Sequence, residues 1–468
     1  MRPGKVSGPV PKRSYLGTPA TAPGPAGPQM LKAFGQIRNN PLMYLNGVWQ
    51  EYGDVVQFPI PRPPTYLVVD PSGVERVLLG SARYYGKSTI QYRALSLVTG
   101  EGLLTADTEM WRRQRPMVQP AFHHESLAEI AAHIAVAIDR ITDDWRRTGS
   151  GTVMDVDAAM MHGALEVVGH ALFGTDLTRD AEQLASATLN ALDVVIARAR
   201  VPISPPAWVP TPANRILRRA NGQLDAAVHA MLQGRRAESR NSSSDMLDIL
   251  LSVRGDDGVG LTDLEIRNQM VTFIVAGHET VASALTWAWG LLAANPRWQK
   301  RMQDEIDEVV GGRRVTFSDY ANLPVTRAIF DEVLRLYPPA WLITRKALVD
   351  DVLGGCQIPA GALIILSPYL LHRHPAIWEQ PNDFDPDRFL GGKIDRTAFI
   401  PFGYGPRLCV GRDFAYLEGV LMLAGLGGRF EVEFAGGAQL PAGNPLVTIR
   451  PPAGMPLVVR ERVSSVGE

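Results

Sequence analysis

Residues Phe402–Gly411, FGYGPRLCVG, set three glycines, a proline and an arginine around one of only two cysteines in a chain of 468 residues. The stretch is too rich in glycine for helix or strand, and a helical pattern, RDFAYLEGVLMLAGLGG, begins right after it at Arg412. Free backbone N–H groups at a helix start favour negative charge. Arg407, two residues from Cys409, adds a positive one. Both effects lower a thiol's pKa, so the sequence describes a cysteine held as thiolate. A thiolate serves as nucleophile or as metal ligand. A nucleophile needs a base beside it, and the loop holds none. A ligand needs hydrogen-bond donors and close backbone approach, which Gly403, Gly405 and Gly411 allow.

Working outward, Cys356 lies far from Cys409 in sequence, so a disulfide framework and a four-cysteine zinc site are both excluded and a reducing cytoplasm is the expected compartment. The formal net charge of -1 gives no global electrostatic case for nucleic acid or anionic membrane. No run of about 18 apolar residues offers a transmembrane anchor. The first thirty residues are broken throughout by proline and glycine and lack the apolar centre of a signal peptide. Residues 1–30 are therefore expected as a flexible tail and 31–468 as a single domain.

Along that domain helix outweighs strand, which makes the expected class mainly α with small β-sheets (α+β). Short strands are read in YGDVVQFPI and PPTYLVVD, in ALVDDVLGGCQIPAGALIIL, and as strand pairs in PLVTIRPPAGMPLVVRER. The proline-rich connection RVPISPPAWVPTPANRIL reads equally as a buried loop or as a rim over an apolar pocket. The most informative helix opens at Thr262 with the capping box T-D-L-E and ends before Pro296, about 34 residues or about 50 Å. Apolar residues cover nearly all its faces, so it is expected to cross the core. Yet it carries AGHET, Ala276–Thr280. Gly277 would leave a gap for a ligand, Thr280 can bond back to the Ala276 carbonyl, and Glu279 is costly there unless partnered. Glu332 and Arg335 sit three apart on one helix face, and Trp111 and Arg115 one helical turn apart.

Phe402, Gly405, Arg407, Cys409 and Gly411 fill F-x-x-G-x-R-x-C-x-G, which resembles the haem-binding signature of the cytochrome P450 superfamily. AGHET resembles that family's oxygen-binding stretch, Glu332 and Arg335 its E-x-x-R motif, Arg388 in FDPDRF the arginine joining that pair, and Trp111 with Arg115 its W-x-x-x-R pattern. The resemblance implies a P450 fold with a long central helix over haem b and Cys409 as the axial ligand of iron. It also implies cofactor contacts from Trp111, Arg115, Ala276, Gly277, Arg345, Phe402, Gly403, Arg407 and Gly411, with Arg115, Arg345 and Arg407 on the propionates. Glu332, Arg335 and Arg388 would brace the cysteine loop.

The implied reaction is monooxygenation. One atom of O2 enters a C–H bond, the other leaves as water, and Glu279 and Thr280 organise the water that delivers protons. Ala276, Trp341, Leu342 and Ile343, with YRALSLVTGEGLL, form an apolar pocket for a lipophilic terpenoid, fatty acid or polyketide of secondary metabolism. Electrons would come from NAD(P)H through a ferredoxin and ferredoxin reductase, docked on a basic patch of Arg112, Arg113 and Arg412, and the protein would act as a monomer. The alternatives are peroxide-driven oxidation, or coupling and rearrangement, on the same scaffold, and a haem sensor or electron carrier without catalysis. His278 and Cys356 receive no functional role.

Overall fold

Thr262 starts the element around which the rest is arranged. Its hydroxyl accepts from the Glu265 N–H at 3.2 Å, and the Glu265 carboxylate accepts from the Thr262 N–H at 2.8 Å, closing the expected capping box. The helix runs Asp263–Ala294, 32 residues and about 48 Å, and stops at Asn295 before Pro296. Its middle is buried on nearly every face. The computed structural model describes residues 21–59, 64–122, 127–174, 181–199, 205, 206, 208–237, 245–255, 258–392 and 394–462.

The helix Val156–Phe173, closed by Gly174 in the left-handed conformation, lies along the long helix. A Cβ on Gly277 would sit 2.9 Å from Val168 Cγ2. The glycine that the sequence presents as a gap for a ligand is thus accounted for by close packing of two helices. Leu127–Thr148, Pro324–Leu336 and Arg412–Gly427 complete the helical body. One apolar cluster runs through it from Leu42 to Val459.

Strands among the described residues form four small sheets, which makes the protein mainly α with small β-sheets. The largest runs in the order Val55–Phe58, Thr65–Val68, Leu363–Leu366, Ile343–Ala347, Tyr85–Gly86. Only the second and third of these pair in parallel. At the chain end only Asn444–Pro445 and Ile449–Arg450 pair locally. The last strand, Pro456–Glu461, does not pair with them. It lies between Thr152–Asp155 and Phe430–Phe434, where Leu457 and Val459 are buried.

Of the stretch expected as a tail, residues 21–30 are packed. The Thr21 hydroxyl meets the Tyr66 hydroxyl at 2.7 Å, Ala22 is buried, and a Cβ on Gly24 would fall 2.0 Å from the Gln57 carbonyl oxygen. In the proline-rich connection, residues 200–204 and 207 lie outside the described residues. Trp208 within it is 79% exposed. No helix among the described residues is long and apolar enough to cross a membrane.

Candidate active site

Glycine shapes the cysteine loop where no other residue fits. Gly403 and Gly405 have φ of 74° and 71°, and a Cβ on Gly405 would sit 2.0 Å from the Leu78 carbonyl oxygen. The Cys409 N–H donates to the Phe402 carbonyl at 3.0 Å, and the Phe402 ring packs on Tyr416 of the following helix. The Cys409 side chain is surrounded by protein yet keeps accessible surface. The Gly411 N–H, as expected, draws the thiol down, and so do Arg115 and Arg412, where the sequence points to Arg407. Burial is the larger influence, however, and the net direction is up, opposite to the sequence-based expectation. A thiolate here calls for a cation bound directly to sulfur, and a coordinated metal is such a cation.

Next to the loop the imbalance of charge is reversed. Lys87 and Arg345 are 7% and 6% exposed, and Arg407 is half-buried. Arg345 and Arg407 join burial in pushing the Lys87 amine well below its ordinary range, and Arg407 is itself lowered to about 10, chiefly by burial. Their hydrogen bonds go to neutral carbonyls: Lys87 Nζ to Leu104 at 2.6 Å, Arg407 Nη1 to Ala106 at 2.7 Å, Arg345 Nη1 to Thr344 at 2.8 Å. Asp107 is the carboxylate that acts on this cluster, and it caps the helix of Trp111 and takes the Lys87 N–H. Three cations against one carboxylate leave room for about two further negative charges. The two propionates of a haem fit that requirement. Lys87 is absent from the sequence-based site, since a lone lysine in YGKST carries no signal of burial.

The expected positions fall into place around these two features. Trp111 lies under the Arg407 guanidinium, 4.3 Å from ring centre to Cζ, and Arg115 Nη1 donates to the Leu408 carbonyl at 3.0 Å. Phe122 links the loop to the long helix: it is the nearest side chain to a Cβ built on Gly411, and its ring meets Phe273 edge-on at 5.5 Å. Glu332 and Arg335 are both fully buried and joined by two hydrogen bonds, of 2.6 and 2.7 Å. Arg335 also donates to the carbonyls of His372, Pro381 and Asp383, and Glu332 accepts the Asp385 N–H. Arg388 Nε stands 3.5 Å from Glu332. His372 Nε2 accepts the Ile400 N–H at 2.9 Å and so ties this brace to the chain entering the loop.

On the long helix, the Thr280 hydroxyl donates to the Ala276 carbonyl at 2.5 Å, as expected. Burial pushes the Glu279 carboxyl up to about 7. Its Oε1 accepts from the Thr448 hydroxyl at 2.9 Å, while Oε2 is buried without a partner. Thr448 is a second residue that sequence reasoning misses, since it lies 169 positions away. His278 is buried against the Met161 carbonyl and pushed down to about 4 by burial, so it is neutral.

Two expectations change. Trp341 is buried with its indole N–H on the Leu446 carbonyl, which places it in the core, whereas Leu342 and Ala276 stay partly exposed and Ile343 sits in a sheet. The supposed basic patch is largely paired: Arg112 with Glu109, Arg113 with Glu265, Arg412 with Asp413.

A loop cysteine beside unmatched positive charge has the residues that a haem-thiolate site requires. The chain belongs to the cytochrome P450 family, whose profile, described as Cytochrome P450, matches residues 22–457. It is 33% identical over 444 residues to cyclooctat-9-en-7-ol 5-monooxygenase of Streptomyces melanosporofaciens, covering 94% of each chain. It is 34% identical to cyclooctatin synthase of the same organism, over 86% of this chain and 88% of that one. It is also 34% identical to pentalenene oxygenase of Streptomyces avermitilis, over 86% and 89%. The protein is a P450 monooxygenase, and the cofactor of its family is haem.

Proposed function

We propose that this monooxygenase oxidises a cyclic terpenoid hydrocarbon or alcohol at a C–H bond, as part of secondary metabolism. The observation that carries the catalytic reading is the excess of buried positive charge, Lys87, Arg345 and Arg407, around the loop that carries Cys409. Bound there, haem supplies activation of O2 at an iron ligated by the Cys409 thiolate. Lys87, Arg345 and Arg407 would hold the propionates, with Trp111 supporting Arg407 and Arg115 fixing the Leu408 carbonyl next to Cys409. The brace of Glu332, Arg335 and Arg388 holds the incoming chain, and Gly403, Gly405 and Gly411 let the backbone close around the sulfur. Glu279, raised to about 7, can both take up and release a proton near neutral pH, with Oε2 as the exchanging atom, while the Thr280 hydroxyl can leave the Ala276 carbonyl to orient water. Leu97, Leu104 and Leu342, with Ala276, are apolar and half-buried, and in this reading they form the wall that meets the substrate.

The substrate class rests on the names of the relatives, which specify cyclooctat-9-en-7-ol and pentalenene, and on that wall. Electrons come from NAD(P)H through a ferredoxin and its reductase. Arg112 and Arg412 offer partly neutralised charge to an acidic donor, with side chains 56% and 46% exposed. Residues 31–468, with the packed residues before them, act as one catalytic domain in the cytoplasm, where no disulfide joins Cys356 to Cys409. The test is turnover of a panel of cyclic terpenes, fatty acids and polyketides with a surrogate ferredoxin and reductase under isotopically heavy O2. A heavy oxygen atom in a terpene product is the expected result. Labelled fatty acid or polyketide alone would refute the substrate class, and product labelled only from peroxide would refute the electron route.

A further inference from the structure

Among the described residues, Thr448 alone donates a hydrogen bond to the Glu279 carboxyl, at 2.9 Å, with both side chains buried. Thr448 belongs to a short segment fastened to the long helix at two consecutive residues and to the neighbouring helix Val156–Phe173 at the third. The Ile449 carbonyl accepts from Ser283 Oγ at 2.8 Å and from Trp287 Nε1 at 2.7 Å. Arg450 pairs with Asp157 at 2.5 Å, and Asp157 accepts the Thr286 hydroxyl. Glu279, Ser283, Thr286 and Trp287 recur at helical spacing, so the segment lies along one face of the helix and Thr448 has little freedom to leave Glu279. The second carboxyl oxygen, Oε2, is buried and without a partner.

We propose that Thr448 is a positioning residue for proton delivery: its hydroxyl clamps one oxygen of the Glu279 carboxyl and leaves the other as the atom that exchanges a proton. This rests on the role given above to Glu279. A donor on Oε1 stabilises the ionised form, so Thr448 also keeps the carboxyl from being locked neutral by its burial. The other groups acting on Glu279 are Arg450, which favours ionisation, and Asp157 and Asp193, which oppose it. Arg450 is itself engaged by Asp157. His278, next to Glu279 on the same helix, is neutral and turned to the Met161 carbonyl, with His162 nearby from the same packing helix.

The experiment uses the haem-loaded protein and its Thr448→Val, Thr448→Ser, Thr448→Ala and Glu279→Gln variants. The carboxyl stretch of protonated Glu279 is the infrared band that Glu279→Gln lacks, and its titration gives the midpoint directly. We expect Thr448→Val to move that midpoint up by about one pH unit, the effect of losing one charged hydrogen bond. Thr448→Ser restores it, and Thr448→Ala substitutes for valine should valine not fold. The fraction of electrons entering product should follow the same shift in its pH profile. A midpoint unmoved by valine or alanine, or moved as far by serine, overturns the clamp. If the midpoint moves but Glu279→Gln leaves coupling and its pH profile intact, the clamp stands as geometry, and the proton role of Glu279 falls with the positioning role built on it.

Discussion

The brace behind the cysteine and the polar stretch of the long helix are both buried, and they treat their polar atoms in opposite ways. In the brace, both carboxylate oxygens of Glu332 and the three guanidinium nitrogens of Arg335 have hydrogen-bond partners. Two neighbouring glycines are fixed at positive φ. On the long helix, Glu279 Oε2 and His278 Nδ1 are buried without partners, and the Thr280 hydroxyl bonds only to its own helix. Arg388 Nε, 3.5 Å from Glu332, is the brace atom without a hydrogen bond; the Glu332–Arg335 core is satisfied, has nothing to exchange and holds its geometry. A partly satisfied network carries the free energy cost that allows a proton or a water to be taken up. One region is built to stay still, the other to change protonation state.

The comparison can be broken most completely at the sulfur. Cys409→Ala should abolish the red-shifted carbon monoxide band of the reduced protein, read by difference spectroscopy. Arg335→Ala comes next, because it strands Glu332 as an unpaired buried charge. A loss of about 3–5 kcal/mol in urea unfolding is expected, together with loss of haem. Retained stability would mean that the brace is ornamental.

The pH dependence of stability probes the other region. The Glu279 carboxyl is raised from 4.5 to about 7, so the folded state binds its proton more tightly than the unfolded state does. Stabilisation from this group is complete below about 4.5 and is lost as pH rises through about 7. Glu279→Gln should therefore flatten the fall in unfolding free energy across that window by about 3 kcal/mol relative to wild type. An unchanged slope would show that the site is better solvated than its burial implies.

Lys87→Met sharpens the contrast by acting in two directions. The haem-free protein should gain about 1–3 kcal/mol in denaturant melts, since a buried cation is removed. The loaded protein should release haem faster in transfer to a haem acceptor. The smallest effect belongs to Arg112→Ala. Its pair with Glu109 is exposed, so stability should change by less than about 1 kcal/mol, while the salt dependence of ferredoxin-supported turnover weakens.

Residues whose meaning is local were legible in the sequence. Thr262 and Glu265 cap the long helix, Gly174 ends another, Gly403 and Gly405 turn the loop, and Glu332 meets Arg335 three positions on, all as the spacing predicts. The cysteine loop was legible for the same reason, being a motif of ten consecutive residues. The sequence reading went astray where the explanation lay elsewhere in the chain. Gly277 was read only as room for a ligand, and its close packing on Val168 was not foreseen. Arg113 was placed in a surface patch, but it pairs with Glu265, and the last strand was given the wrong partner.

By itself, then, the chain determined its helix limits, its mixed class and the turns of its cysteine loop, because short-range hydrogen bonding and backbone sterics act between residues that are already neighbours. Tertiary structure alone decided that Lys87, Arg345 and Arg407 would share a buried site, that Thr448 would reach Glu279 across 169 residues, and that burial would outweigh local donors at Cys409. Desolvation and charge balance depend on what surrounds a group in space, and spacing along the chain does not encode that.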